Sequence, residues 1–202
     1  IYALHPHKLQ IGFLKLLKGS GIRCDYPNDY RYDPCGPYEV LETTWLPYAK
    51  VRYMKVFEDV FERTYNADKF VYVLNFLAEI YQADYFNLYE RLTDEWLRLK
   101  NDEKALSDEH LCQFLWYCIQ HVLALSPEQQ QTARELLILD MLTFFRFRYR
   151  LDFLGWEEAP RSETDAIFRD EAWLRQYVPD YAFTSWRDIK MRYRIWRVSQ
   201  RT

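Results

Sequence analysis

The sequence predicts an all-α fold, a multi-helix bundle with a small C-terminal β-hairpin, and three observations carry that expectation. Residues 48–126 contain neither Gly nor Pro. Glycine is confined to Gly12, Gly19, Gly21 and Gly36 and then returns only at Gly155. Within the breaker-free span, apolar residues recur three and four positions apart, the spacing that lines one face of an α-helix. The 202 residues are 49% apolar and 18% aromatic, enough to bury a sizeable core and too hydrophobic for a disordered chain.

Each element follows from local pattern. Residues 45–65 place Val51, Met54, Phe57 or Glu58, Phe61 and Tyr65 on one stripe, with Pro47 in the first turn, where its missing N–H is harmless. A second helix is expected over 69–82, on Val73, Leu74, Leu77, Ile80 and Tyr81, and a third over 85–100, on Leu88, Leu92, Trp96 and Leu99. Ser107 is an N-cap for a helix from Asp108, because its hydroxyl accepts an orphan N–H and the acids at 108 and 109 suit the positive end of the dipole. Ser126-Pro127-Glu128-Gln129 is a capping box with Pro at the first helical position. It opens a helix expected to run to Leu154 and stop at Gly155. This helix is apolar nearly all round from Leu136 to Phe147, which marks it as central, with Leu137, Met141, Phe144 and Phe145 buried. A short helix is expected over 163–177. Residues 190–196 alternate basic and apolar side chains and read as a strand pairing with 178–183.

Chemistry is sparse. His110 and His121 are eleven apart on one helix, about 16 Å along its axis and too far for one metal ion. Cys118 and His121 stand three apart but have no second pair of ligands, and His5 and His7 flank Pro6 as loop residues. Cys24, Cys35, Cys112 and Cys118 form neither a Cys-x-x-Cys motif nor a disulfide framework, so a reducing cytoplasm is expected. There is no nucleophile elbow, Walker loop or dinucleotide fingerprint. Asp140 lies in the most apolar helix and needs a partner, expected to be an Arg or a hydroxyl from another helix.

The net charge of −3 gives no global field for nucleic acid or an anionic membrane. Arginines alternate with aromatics over 144–150, but on a helix they point in different directions. Residues 185–202 carry six basic side chains against Asp188 alone, and these are expected to cover the acidic remainder of the chain rather than to bind a polyanion. The longest uncharged stretch, 110–127, is interrupted by Gln113, Gln120, His121 and Ser126 and reads as a core helix, so no membrane span is expected. Ile1 is preceded by no Met, and the first residues lack a signal peptide's basic and apolar regions; the chain reads as cut from a longer polypeptide.

The stretch Leu9-Gln10-Ile11-Gly12-Phe13-Leu14-Lys15-Leu16-Leu17-Lys18-Gly19-Ser20 resembles the segment that closes the radical-SAM portion of cobalamin-binding radical-SAM enzymes, ahead of a helical C-terminal domain. Pro37-Tyr38-Glu39-Val40-Leu41, Trp45-Leu46, Glu58, Tyr65-Asn66 and Leu151-Asp152-Phe153-Leu154 extend the resemblance. It implies that residues 1–36 are the end of the barrel and a linker, and that 37–202 are a helical accessory domain covering the active site or recognising substrate or partner. The [4Fe-4S] cluster, S-adenosylmethionine and cobalamin of the parent enzyme would be held by upstream domains of the same polypeptide. The chain itself is expected to bind no cofactor or metal and to hold no catalytic residue; Lys15, Lys18, Gly19 and Ser20 are the barrel-rim candidates. Read without the resemblance, residues 9–20 are an amphipathic segment packing Ile11, Phe13, Leu14 and Leu17 against the helices. The alternative function is a free-standing helical protein-interaction module, and nucleic-acid binding is the least favoured class.

Overall fold

A computed structural model describes residues 6–25, 28–82, 84–103, 105–145, 151–178, 182 and 185–198. The chain divides into two compact units, residues 1–146 and 147–202. Nine α-helices and two small two-stranded sheets stand among the described residues, so the fold is mostly α.

The first unit begins with extended chain and not with a helix. Leu16 N–H donates to Tyr38 O (2.8 Å) and Val40 N–H to Leu14 O (2.8 Å), bridging Lys15 antiparallel to Glu39. After Gly19, whose φ of +82° suits glycine, comes the short helix α1 (Gly21–Asp25). Strands β1 (Tyr30–Tyr32) and β2 (Val40–Thr43) then pair antiparallel, a hairpin that the sequence did not announce. Pairing with residues 38–40 decides which side chain of the first segment is covered. Leu16 is 2% exposed, whereas Leu14 and Leu17 are 46% and 57% exposed, so the amphipathic reading misplaced the buried leucine.

Five helices follow: α2 (Tyr48–Thr64), α3 (Val71–Ile80), α4 (Tyr85–Arg98), α5 (Asp108–His121) and α6 (Pro127–Phe144). Three of them start at a side-chain cap. Asp84 accepts from Asn87 N–H, Ser107 accepts from His110 N–H, and Ser126 and Gln129 form the reciprocal box at 3.2 and 2.9 Å. Every joint between successive members of this series carries one non-glycine residue in the left-handed region: Asp68, Gln82, Lys100 and Ala124, with φ between 50° and 53°.

Helix α3 lacks a side-chain cap of its own; Asp140 of α6 supplies one. Its Oδ1 and Oδ2 accept from the N–H groups of Tyr72 and Val73, both at 2.9 Å. The expected arginine or hydroxyl is therefore replaced by the positive end of a helix, which satisfies both carboxylate oxygens without a second side chain. Burial pushes this carboxyl up to about 6, and the backbone donors hold back a larger rise.

Helix α6 stops at Phe144, ten residues short of expectation, because Phe145 turns extended (φ −98°, ψ 134°) and packs its ring, tilted, against Phe70 at 5.1 Å. The arginine-aromatic run over 146–150 lies outside the described residues. Leu154 belongs to a separate single turn, Asp152–Leu154, and it is this turn that Gly155 closes at φ +61°. Leu137, Ile138 and Met141 are buried, as is Phe145, but Phe144 is 37% exposed.

The second unit holds β3 (Glu157–Glu158), α7 (Arg161–Arg169), α8 (Glu171–Tyr177), α9 (Trp186–Arg192) and β4 (Trp196–Arg197). The single helix expected over 163–177 is broken at Asp170, whose side chain accepts from Trp173 N–H and starts α8. Ser185 starts α9, so residues 190–192 end a helix and do not begin a strand. The period-two alternation of the tail straddles two elements; Ile189 one turn earlier faces a core of Phe168 and Leu174. Strand β4 pairs antiparallel with β3, and Trp196 stacks on Trp156 at 5.5 Å. Of the partner expected for the tail, Val178 ends α8, and most of 179–183 lies outside the described residues.

Candidate functional site at the N-terminal strand

Residues 6–9 approach the helices along an edge prepared for backbone. Asn66, one residue past the C-cap of α2 and 7% exposed, presents a carboxamide that pairs with both polar groups of Leu9. Leu9 N–H donates to Asn66 Oδ1 and Asn66 Nδ2 donates to Leu9 O, each at 3.0 Å. A side-chain amide thus does for Leu9 what a neighbouring strand would do. Nδ2 also donates to Glu62 Oε1 at 2.7 Å, and Tyr65 OH donates to Pro6 O at 2.6 Å. The Tyr65 hydroxyl has its acidity lowered further by burial, so it stays a donor.

Farther along, Lys55 of α2 stands 2.9 Å from Glu39 and 5.7 Å from the Phe13 ring centroid, joining the first strand and β2 to the helix. Glu58 is beside this pair, its carboxyl pushed up by burial first and then by Glu62, Asp59 and Glu39.

The four rim candidates separate. Lys15 is exposed in the bridge to Glu39. Lys18 sits 5.7 Å from the Tyr38 ring centroid, Gly19 makes the turn, and Ser20 turns its hydroxyl inward, where among the described residues it has no hydrogen-bond partner. Sequence reasoning missed two residues that join them. Arg23 lies 4.8 Å from the Tyr32 centroid and 5.8 Å from that of Tyr38, and Tyr38 itself holds a left-handed backbone at φ 61°, a conformation that costs a bulky residue energy. The three tyrosines at 30, 32 and 38 were the available signal, since a cluster of aromatic faces attracts cations.

Among the described residues the histidines and cysteines do not assemble. His110 Nδ1 meets Ser107 Oγ at 2.9 Å, and the His121 ring packs on Tyr117 at 4.9 Å. Cys24 and Cys35 are exposed, while Cys112 and Cys118 are buried, the former with its thiol pushed up to about 12 mainly by burial. Among the described residues no three His, Cys, Asp or Glu side chains stand together to hold a metal ion. No helix among them is long and apolar enough to cross a membrane.

Taken together, these elements define a helical module that receives its N-terminal segment through side-chain amide pairing and carries a cation-aromatic cluster farther along the same segment. The chain belongs to the DUF4080 family, described as a protein of unknown function, whose model matches residues 27–200. No curated protein and no solved structure matches the chain. Tyr38, Glu58, Tyr65 and Asn66 lie within the matched span; Leu9 to Ser20 precede it.

Proposed function

We propose that this chain is the C-terminal accessory domain of a cobalamin-dependent radical-SAM enzyme and works in the cytoplasm. In this reading, the [4Fe-4S] cluster, S-adenosylmethionine and cobalamin belong to upstream domains of the same polypeptide, and this chain supplies no catalytic group. The observation that carries the reading is the clamp on residues 6–9. It accounts physically for the Tyr65-Asn66 pair and joins it to the Leu9–Ser20 motif, the most specific part of the resemblance. An accessory domain must hold the strand that feeds it in fixed register, and an amide paired to both backbone groups of one residue does so.

The second reading, a helical protein-interaction module, is favoured by one observation. Leu14, Leu17, Trp45, Leu46 and Tyr48 are all at least 40% exposed near the start of the chain. Both readings meet one test. The native reading frame upstream of Ile1 is expected to encode Cys-x-x-x-Cys-x-x-Cys, and the whole polypeptide purified without oxygen is expected to show iron-sulfur absorbance. A frame that starts a few residues before Ile1 overturns the enzyme reading and leaves the interaction module.

A further inference from the structure

The geometry points to an oxyanion site, for a phosphate group, built by Lys18, Ser20 and Arg23 around the ring of Tyr38. This inference stands apart from the enzyme reading, because it uses only side chains of residues 18–38.

Three facts carry it. The Arg23 Nη1 and Ser20 Oγ atoms are both shielded from water and, among the described residues, neither has a hydrogen-bond partner. A cationic donor without an acceptor is among the costlier things a fold can bury, and a native structure seldom holds two orphaned polar groups three residues apart without use for them. Second, Lys18 and Arg23 both stand within 5.8 Å of one ring centroid, and no carboxylate among the described residues pairs with either. Two cations gathered about one aromatic ring repel each other until an anion joins them. Third, two acids of the adjoining strand segment have other partners. Glu39 is engaged by Lys55, and Asp33 accepts from Cys35 N–H.

The donor set selects the ligand. A guanidinium fork, an ammonium point charge and a hydroxyl offer more donors and more positive charge than a single carboxylate uses. They suit a group with three terminal oxygens and close to two negative charges. Tyr38 is the platform that brings the two cations together, and its left-handed backbone holds the ring in place, which gives the strained conformation a use.

The test uses the folded chain and inorganic phosphate as the probe, followed by amide and arginine side-chain NMR shifts, with chloride and acetate at matched ionic strength as comparisons. Phosphate is expected to give saturable shifts at Gly19, Ser20 and the Arg23 side chain, which chloride does not reproduce. Arg23→Gln is expected to weaken phosphate binding about tenfold or more, Lys18→Gln and Ser20→Ala by several-fold each. Ser20→Ala changes no charge, so it remains informative if Arg23→Gln disturbs the fold. Shifts that never saturate, that chloride matches, or that survive both Arg23→Gln and Ser20→Ala would overturn the site. Tighter binding of acetate than of phosphate would overturn the choice of ligand.

Discussion

Between residues 48 and 145 the side chains with no measurable exposure include Val60, Val73, Leu77, Leu88, Leu92, Trp96, Leu115 and Leu137, drawn from all five helices of that region. Between residues 151 and 198 a much smaller cluster of Phe168, Leu174 and Ile189 does the same work. Val178, Trp186 and Ile195 pack against that cluster, and the same region is rich in ion pairs. Lys190 pairs with Asp165, Arg197 with Glu163 at 2.6 Å, Arg175 with Glu171 at 2.6 Å, and Arg194 approaches Glu158 at 3.5 Å. Apolar burial is insensitive to moderate salt, whereas exposed pairs are screened within about 8 to 10 Å at ordinary ionic strength. One chain thus holds two regions that respond to different solution variables.

The largest expected effect tests the apolar side of that contrast. Leu137→Ala removes a fully buried side chain of α6 and is expected to cost about 2 to 5 kcal/mol in urea unfolding. A cost near zero would mean that the helices do not depend on tight packing at that position, and the contrast would fail.

The next effect is electrostatic but belongs to the packed region. Folding raises the Asp140 carboxyl from an ordinary 3.8 to about 6, so between those values the folded state keeps a proton that the unfolded chain releases. The sign follows from linkage: the contribution is full below about pH 4 and is lost as pH rises through about 6, amounting to roughly 2 to 3 kcal/mol at most. Urea titrations of the native chain and Asp140→Asn across this range check it. The difference in stability between them should change with pH in that direction, and a flat difference would show that the backbone donors of α3 cancel the effect of burial.

The smallest effect sharpens the ionic side. Breaking the pair of Arg197 and Glu163, 42% and 50% exposed, by Arg197→Ala is expected to cost about 0.2 to 1 kcal/mol at low salt. The loss should disappear in 1 M salt, where the screening length is about 3 Å. Hydrogen exchange at α7 and α9 reads it locally, and a loss that persists in high salt would mean that the arginine stem, not its charge, packs there.

The same contrast explains which parts of the fold were legible. Helices α2 to α6 announce themselves because one face is apolar over several turns, and α5 and α6 also because their caps are oxygen-bearing side chains at fixed offsets, Ser107 and Ser126. The second unit is built of seven- and nine-residue helices, two turns or so, in which a repeat of 3.6 hardly differs from a repeat of two. Arg192, Arg194 and their apolar neighbours consequently read as one strand when they end a helix and lead to another element. The β1–β2 hairpin was hidden for a related reason: its strands span three and four residues, and much of what pairs with the first segment is backbone. At the N-terminal strand, Lys18, Gly19 and Ser20 could be nominated by resemblance. Arg23 could not, because its role depends on Tyr32 and Tyr38 being folded over it.

The four left-handed corners at Asp68, Gln82, Lys100 and Ala124 have a consequence for the unfolded chain. Each holds its native backbone at a cost of about 1 to 2 kcal/mol that glycine would not incur. A glycine there would also multiply the conformations open to the denatured polypeptide, and that freedom must be surrendered on every folding event. A stretch of 79 residues without glycine or proline therefore starts from a comparatively restricted denatured ensemble. Strain at the joints of the native state and stiffness in the denatured state offset one another, so these helices turn four times without the residue that usually makes such turns.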